Sequence, residues 1–272
     1  MPLLIETFAS TALGRNRKVR VWLPDDVSAN PAARFPVIFT ADAQLKFSDR
    51  NEELPYGSWN LDVHLAELAA AGEIEPAVVV AVDNSPQRMK EYFPVTEEFA
   101  RYQRFVVEDL IPWAREKFPI HRDAARTAHL GSSMGGLVSF ALAGNNPEFI
   151  GSALCLSPWF EQEQNRYIHE ILRPMQEKPP IRVYMDSGIL DWRGLDDGHR
   201  GMLLARVELL RLGFKEGDDL EWFVDTWFPT EEELANSLVK RDKWETAKVN
   251  QHSELHFGRR APKALLFFLG KK

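Results

Sequence analysis

Short apolar runs alternating with amphipathic stretches predict an α/β fold, a three-layer sandwich with a mostly parallel central sheet between helices. Three observations carry this. Residues 35–40, 77–82 and 150–156 are apolar runs of the kind that a parallel strand buries on both faces. Residues 58–71 and 97–118 carry apolar residues at helical spacing between those runs. A glycine-rich turn, Gly131 to Gly136, then joins a strand-like segment to a helix-like one. The 272 residues, 44% of them hydrophobic, suffice for one sizeable core, so residues 1–272 read as a single domain.

Taken in order, residues 19–23 alternate and stop at Pro24, an early strand. Residues 25–34 are a polar, proline-bearing loop. The run at 35–40 leads into Asp42-Ala43-Gln44. Ser58 can cap a helix to about Ala71, with Leu61, Leu65 and Leu68 on one face and Gly72 beyond it. The strand at 77–82 breaks at Asp83-Asn84-Ser85-Pro86, a turn cluster. A long helix is expected over 97–118, with Pro112 able to kink it and an aromatic stripe that reads as core packing. Strand 127–130 and helix 135–145 flank the glycine turn. Strand 150–156 ends in Ser157-Pro158-Trp159-Phe160. Helix 166–176, strand 181–185, helix 202–212 closed by Gly213, and strand 220–224 follow. Residues 225–250 hold the capping box Thr230-x-x-Glu233 and read as a helical insertion near the active site, ahead of a last helix at 262–269.

The chemistry starts at Gly131-Ser132-Ser133-Met134-Gly135, the G-x-S-x-G nucleophile elbow of an α/β-hydrolase. A serine that attacks a carbonyl must project from a sharp strand-to-helix turn, and only glycine tolerates the crowding beside it. Its hydroxyl needs a base. In this fold the partners follow in the order acid, then histidine. His252 and His256 both lie near the C-terminus, where the base belongs, and the spacing alone does not separate them; His199 reads as a helix-start residue. Asp186 and Asp191 both follow the 181–185 strand, while Asp196 and Asp197 read as solvated charges opening the next helix. Two backbone N–H groups must hold the oxyanion: one from Met134, the other from the Asp42-Ala43-Gln44 loop.

The net charge of −7 argues against nucleic acid or anionic membrane as a partner. The lone Cys155, in an apolar run, reads as a buried thiol with no intramolecular disulfide open to it. The N-terminus lacks a basic, apolar leader, and no apolar run is long enough to span a bilayer, so the cytoplasm is the expected location. There is no H-E-x-x-H and no cysteine pair; no metal or cofactor is expected. The expected partner is a small-molecule ester, and the oligomeric state stays open, a homodimer included.

Five stretches resemble the putative esterase family of α/β-hydrolases, which includes esterase D, enterochelin esterases and mycolyltransferases, and they resemble most its enterochelin-esterase-like branch. They are Pro36 to Gln44; Asp83-Asn84 with Arg88, Glu91 and Tyr92; Gly131 to Gly136; Ser157-Pro158-Trp159; and Gln251-His252-Ser253-Glu254 through Leu265. The resemblance spans about residues 19–269. It implies His252 as base, ten residues before Pro262, and Asp191 as acid, three beyond Gly188, which leaves Asp186 a structural role. It also implies the N–H of Gln44 as second oxyanion donor. Ala43 stands where the family has glycine, Phe257 where it has tryptophan, and the 225–250 insertion is longer than in plainer members.

The expected activity is that of a serine carboxylic-ester hydrolase with Ser133, Asp191 and His252 as triad, acting on a small, aryl or siderophore-type ester. Tyr92, Trp159, Phe160, Trp192 and Arg193 fall in loops at the C-terminal edge of the sheet and form the expected aromatic substrate pocket with one cation. Acyl transfer on the same fold, or ligand binding without catalysis, are the rival readings.

Overall fold

The computed structural model describes residues 3–29 and 32–271. The expected loop at 25–34 lies partly outside them. Eight strands form one sheet in the order β1-β2-β4-β3-β5-β6-β7-β8. The strands are β1 (Leu4–Ser10), β2 (Arg15–Trp22), β3 (Val37–Ala41), β4 (Val78–Val82), β5 (Thr127–Ser132), β6 (Ser152–Leu156), β7 (Arg182–Ser187) and β8 (Leu220–Val224). β1 and β2 pair antiparallel, β2 joins β4 antiparallel, and from β4 onward every pairing is parallel. This is the α/β-hydrolase arrangement. The sequence reading missed β1, whose exposed, polar-interrupted residues carry little apolar signal.

The apolar strands feed two cores because successive side chains point to opposite faces. Val37, Phe39, Val80, Ala153, Cys155, Val183 and Met185 enter one core. Ile38, Val79, Leu130, Leu154 and Tyr184 enter the other. Helix α1 (Leu61–Ala70) covers the second core. The expected long helix forms as Glu97–Arg104, a π turn at Phe105–Leu110, and Ile111–Lys117, together α2. Pro112 sits in the first turn of the last part, where its missing N–H is harmless. α2 covers the first core, joined by α3 (Met134–Asn145) and α4 (His199–Arg211).

The insertion holds α5 (Glu231–Ala235), capped by the predicted Thr230–Glu233 box, and a small core of Leu234, Val239 and Ala247 packed against Tyr56, Trp244 and Leu255. The last helix, α6, runs Glu254–Leu269, starting earlier than expected with Pro262 inside it. Proline there cannot donate to the carbonyl of Gly258. α1 and the chain entering it pack closely on that turn: the Gly258 backbone offsets part of the desolvation of the His64 imidazole, and a side chain at Gly258 would run into the Trp59 backbone. The interior proline is thus accommodated by α1–α6 packing, which local sequence does not show.

Candidate active site

β5 ends one residue before Ser133, which has φ 57° and ψ −126°. A non-glycine residue in such a conformation costs about 1–3 kcal/mol and persists only where its surroundings fix it. Here the Ser133 N–H donates to the Leu156 carbonyl at 2.9 Å, and its own carbonyl accepts from Gly136, Leu137 and Trp159. The glycines make room for the turn. A Cβ on Gly131 would lie 2.2 Å from the Gly135 carbonyl oxygen, and one on Gly136 would lie 3.0 Å from the Pro158 backbone. The elbow predicted from five residues is present.

Ser133, Met134 and His252 line one cavity of about 320 Å³ at the C-terminal end of the sheet. Met134 is the first residue of α3, so its N–H has no partner within the helix. The turn Ala43–Leu45 follows β3, with Asp42 in the left-handed region at φ 55°. Its first internal bond runs from the Leu45 N–H to the Asp42 carbonyl, so the Gln44 N–H has no acceptor within the turn. Gln44 itself is not part of the described cavity wall; its side-chain carbonyl accepts the Asn84 N–H.

His252 is held on every side. Its Nδ1 meets Oδ1 of Asp197 in a short hydrogen bond, and its ring packs against Trp192 and Phe257 at 5.2 and 5.1 Å between centroids. The acid assignment therefore needs correcting: the carboxylate on the histidine is Asp197, not Asp191. Far from being a solvated helix-opening charge, Asp197 is 1% exposed. Its Oδ2 accepts from the Ser157 hydroxyl and the Gly188 N–H, both at 2.6 Å, and lies 3.7 Å from Arg260. Burial works to raise its pKa, but His252, Arg260 and Ser157 outweigh it and hold the carboxyl below its usual range. The neighbouring Asp196 does take the expected role, accepting the His199 and Arg200 N–H groups at the start of α4.

Asp191 instead folds its own loop. It accepts the backbone N–H groups of Arg193 and Leu195 at 2.8 and 3.0 Å and the Arg193 guanidinium at 2.7 Å. Desolvation opposes its charge, yet these donors keep its pKa low. The excursion from Ile189 to Asp196 explains the error. The turn closes on itself, with the Asp191 N–H bonded to the Leu195 carbonyl and a bridge between Leu190 and Asp196. The chain returns to Gly188 only at Asp197, nine residues on.

Asp186 has the structural role implied for it. It pairs with Arg260 at 3.0 Å and accepts the Tyr184 hydroxyl, and its burial pushes its pKa up to about 6. Arg260 of α6, 1% exposed, also donates to Ser157 at 2.9 Å, so one buried guanidinium ties Asp186, Ser157 and Asp197 together. His256 is fully buried against Trp227, four residues past His252, and burial lowers its pKa to about 4.

Of the expected pocket residues, Trp159, Trp192 and Arg193 line the cavity. Tyr92 and Phe160 do not, and both are corrected to core residues: Tyr92 packs against Tyr102, and Phe160 against Phe140 and Tyr167, each fully buried. Sequence reasoning did not place Arg88, Met89 and Glu161 in the cavity wall. Arg88 holds Asp42 through two hydrogen bonds of 2.7 and 2.8 Å, which ties the loop after β4 to the turn after β3. No described residue of 225–250 lines the cavity. That segment touches the wall residues through Asn250, whose side-chain oxygen accepts the His252 N–H at 2.9 Å, and through Gln251, whose amide donates to the Asp225 and Trp227 carbonyls.

Comparisons with known proteins agree with this architecture. The profile of the family described as "Putative esterase" matches residues 10–205. The uncharacterized protein YjcH of Bacillus subtilis (strain 168) is 22% identical over 183 residues, 66% of this chain and 70% of that one. The enterobactin esterase FES of Shigella flexneri, solved in the presence of 2,3-dihydroxy-N-benzoyl-serine, superposes with a TM-score of 0.72 at 17% identity. The match covers 98% of this chain but 59% of that enzyme. A ferulic acid esterase superposes with a TM-score of 0.72 at 13% identity, covering 98% of both chains. Among the described residues, no helix is long and apolar enough to cross a membrane.

Proposed function

The chain belongs to the Putative esterase family of α/β-hydrolases, and from that premise we propose that it hydrolyses carboxylic esters through an acyl-enzyme on Ser133. The observation that carries this reading is the strained elbow serine sharing one cavity with a histidine whose far nitrogen is held by a buried carboxylate.

The geometry around Ser133, His252 and Asp197 supports their roles in this reading. With Nδ1 engaged by Asp197, the His252 imidazole leaves Nε2 to take the Ser133 proton as the hydroxyl attacks the ester carbonyl. Asp197 stays ionised and stabilises the imidazolium; Ser157, Gly188 and Arg260 fix its orientation. The N–H groups of Met134 and Gln44 stabilise the oxyanion, each contributing about 3 kcal/mol in the transition state. His252 then protonates the leaving alcohol. Water, deprotonated by the same imidazole, attacks the acyl-enzyme and frees the acid. At about 320 Å³ the cavity lies at the small end of ligand pockets, which suits a small or single-ring ester. A siderophore-type ester would extend well beyond it.

Steady-state hydrolysis of p-nitrophenyl esters, from acetyl to aryl acyl groups, tests the reading with wild type beside Ser133→Ala. Turnover by wild type and a loss in kcat on the order of 10⁵–10⁶-fold in the variant are expected. Ester turnover that survives Ser133→Ala would overturn it.

A further inference from the structure

The turn from Gly188 to Asp196 is the most firmly built part of the cavity wall that the acyl-enzyme chemistry leaves unused. It carries Trp192, an indole 59% exposed in the wall of the cavity. An exposed tryptophan on a loop is ordinarily mobile. Here the backbone on both sides of it is pinned. Asp191 accepts the Arg193 and Leu195 N–H groups, and its own N–H returns to the Leu195 carbonyl. Gln251 grips the other limb. Its carbonyl accepts the Ile189 and Leu190 N–H groups, the latter at 3.2 Å, and its amide is anchored on the insertion. Gln251 is itself fully buried. A water-facing indole held this firmly is preorganised for contact with something else.

The charges around it select what that is. The Arg193 guanidinium lies 5.0 Å from the Trp192 ring, but its charge is matched by Asp191. The other guanidinium in the wall, Arg88, is matched by Asp42. The remaining ionisable groups among the described wall residues are Glu161, Asp196, Asp197 and His252. An anionic group entering the cavity thus finds both guanidiniums already paired, and beside them Glu161, Asp196 and Asp197, of which Asp196 pairs with Arg200 and Asp197 with His252 and Arg260.

We propose that Trp192 is a specificity platform, clamped by Asp191 and Gln251, that stacks an uncharged aromatic group in the alcohol portion of the ester. The side is set by the chemistry: Trp192 lies 5.2 Å from His252, between centroids, and His252 is the group that protonates the departing alcohol. The inference rests on the hydrolase reading given above. It departs from the expectation of a siderophore-type ester in an aromatic pocket with one free cation and gives Asp191 a positioning role in place of a catalytic one.

Acetate esters separate the two claims, because the acyl group stays constant and small. Ethyl acetate, benzyl acetate and 4-carboxybenzyl acetate are compared by titrating the acid released. Wild type is expected to favour benzyl over ethyl by about tenfold in kcat/KM, the scale of one aromatic stack, and to discriminate against the carboxylated ester. Trp192→Ala brings the benzyl-to-ethyl ratio close to one through KM, Trp192→Phe restores most of it, and Asp191→Asn lowers it several-fold. A ratio unchanged in Trp192→Ala overturns the platform. So does an equal fall in kcat on both esters, which would assign Trp192 to holding His252. Preference for the carboxylated ester overturns the charge argument. Wild type that hydrolyses neither ethyl nor benzyl acetate sinks the hydrolase reading, and the platform falls with it.

Discussion

The elbow and the acid–base loops meet at one cavity but are built in opposite ways. The elbow is local. Every contact that forces Ser133 outward involves residues within β5, α3 or the strand end beside them, and the glycines are needed because backbone would otherwise collide at 2.2 Å. The acid–base pair is assembled at long range. Asp197 meets a histidine 55 residues on, a serine 40 residues back and an arginine from α6. A local motif advertises itself by composition. A long-range one is marked only by partners whose nearness the fold must first create.

The largest expected effect tests that contrast directly. Asp197→Asn keeps the shape of the acid but favours the wrong imidazole tautomer, and kcat should fall on the order of 10⁴-fold. Asp191→Asn, which disturbs only the platform turn, should lower kcat on a small ester by less than about tenfold. Stopped-flow or steady-state rates on p-nitrophenyl acetate distinguish them. The opposite order would restore Asp191 as the acid and show that the loop rearranges when substrate binds.

A smaller effect lies where the two regions touch. Lys46 closes the turn that carries Gln44, and it faces Asp42, Arg88 and Glu254, the last two residues beyond His252. It is fully buried, its ammonium sits 3.2 Å from the Trp59 ring centroid, and it has no hydrogen-bond partner among the described residues. Desolvation lowers its pKa from 10.5 to about 7, partly offset by Asp42 and Glu254. Between those two values the unfolded chain holds a proton that the folded chain does not, so this group's contribution to stability rises with pH across that window. Lys46→Met should therefore unfold at a higher temperature than wild type at pH 7, with the gap closing toward pH 10. Thermal melts at several pH values read this out. A variant less stable than wild type at pH 7 would mean that the ammonium over the indole is a net stabilising contact.

The parallel part of the sheet, the elbow, the long helix over 97–117 and the cap at Thr230 were legible because each is fixed by periodicity, glycine sterics or a four-residue pattern. His252 was narrowed by residue logic to a pair and singled out only through family resemblance. Asp197 was not legible. Its sequence neighbourhood, two aspartates before a glycine and a helix, looks like an ordinary solvated helix start, and only Asp196 is one. Tyr92 and Phe160 were misplaced for a related reason. Their loops do reach the C-terminal edge of the sheet, but an aromatic ring there can turn outward to substrate or inward to core, and that choice belongs to Tyr102, Phe140 and Tyr167, on elements that the fold must first bring alongside.

The smallest effect asks whether the insertion shares in the chemistry. Its first helix has a local, legible cap: the Thr230 hydroxyl accepts the Glu233 N–H at 3.2 Å, and the Glu233 carboxylate accepts the Thr230 N–H at 2.7 Å. Thr230→Ala should weaken this helix by about 1 kcal/mol, visible as faster amide exchange confined to 225–250. No described residue of that segment lines the cavity, so turnover of p-nitrophenyl acetate should stay within about twofold. A larger loss would travel through Asn250, whose side-chain oxygen accepts the His252 N–H, or through Gln251, which hangs from the Asp225 and Trp227 carbonyls by its amide and holds the Trp192 turn by its carbonyl. In the latter case bulky aromatic esters should lose more than acetate does, since the turn they stack on would loosen while the elbow stayed fixed.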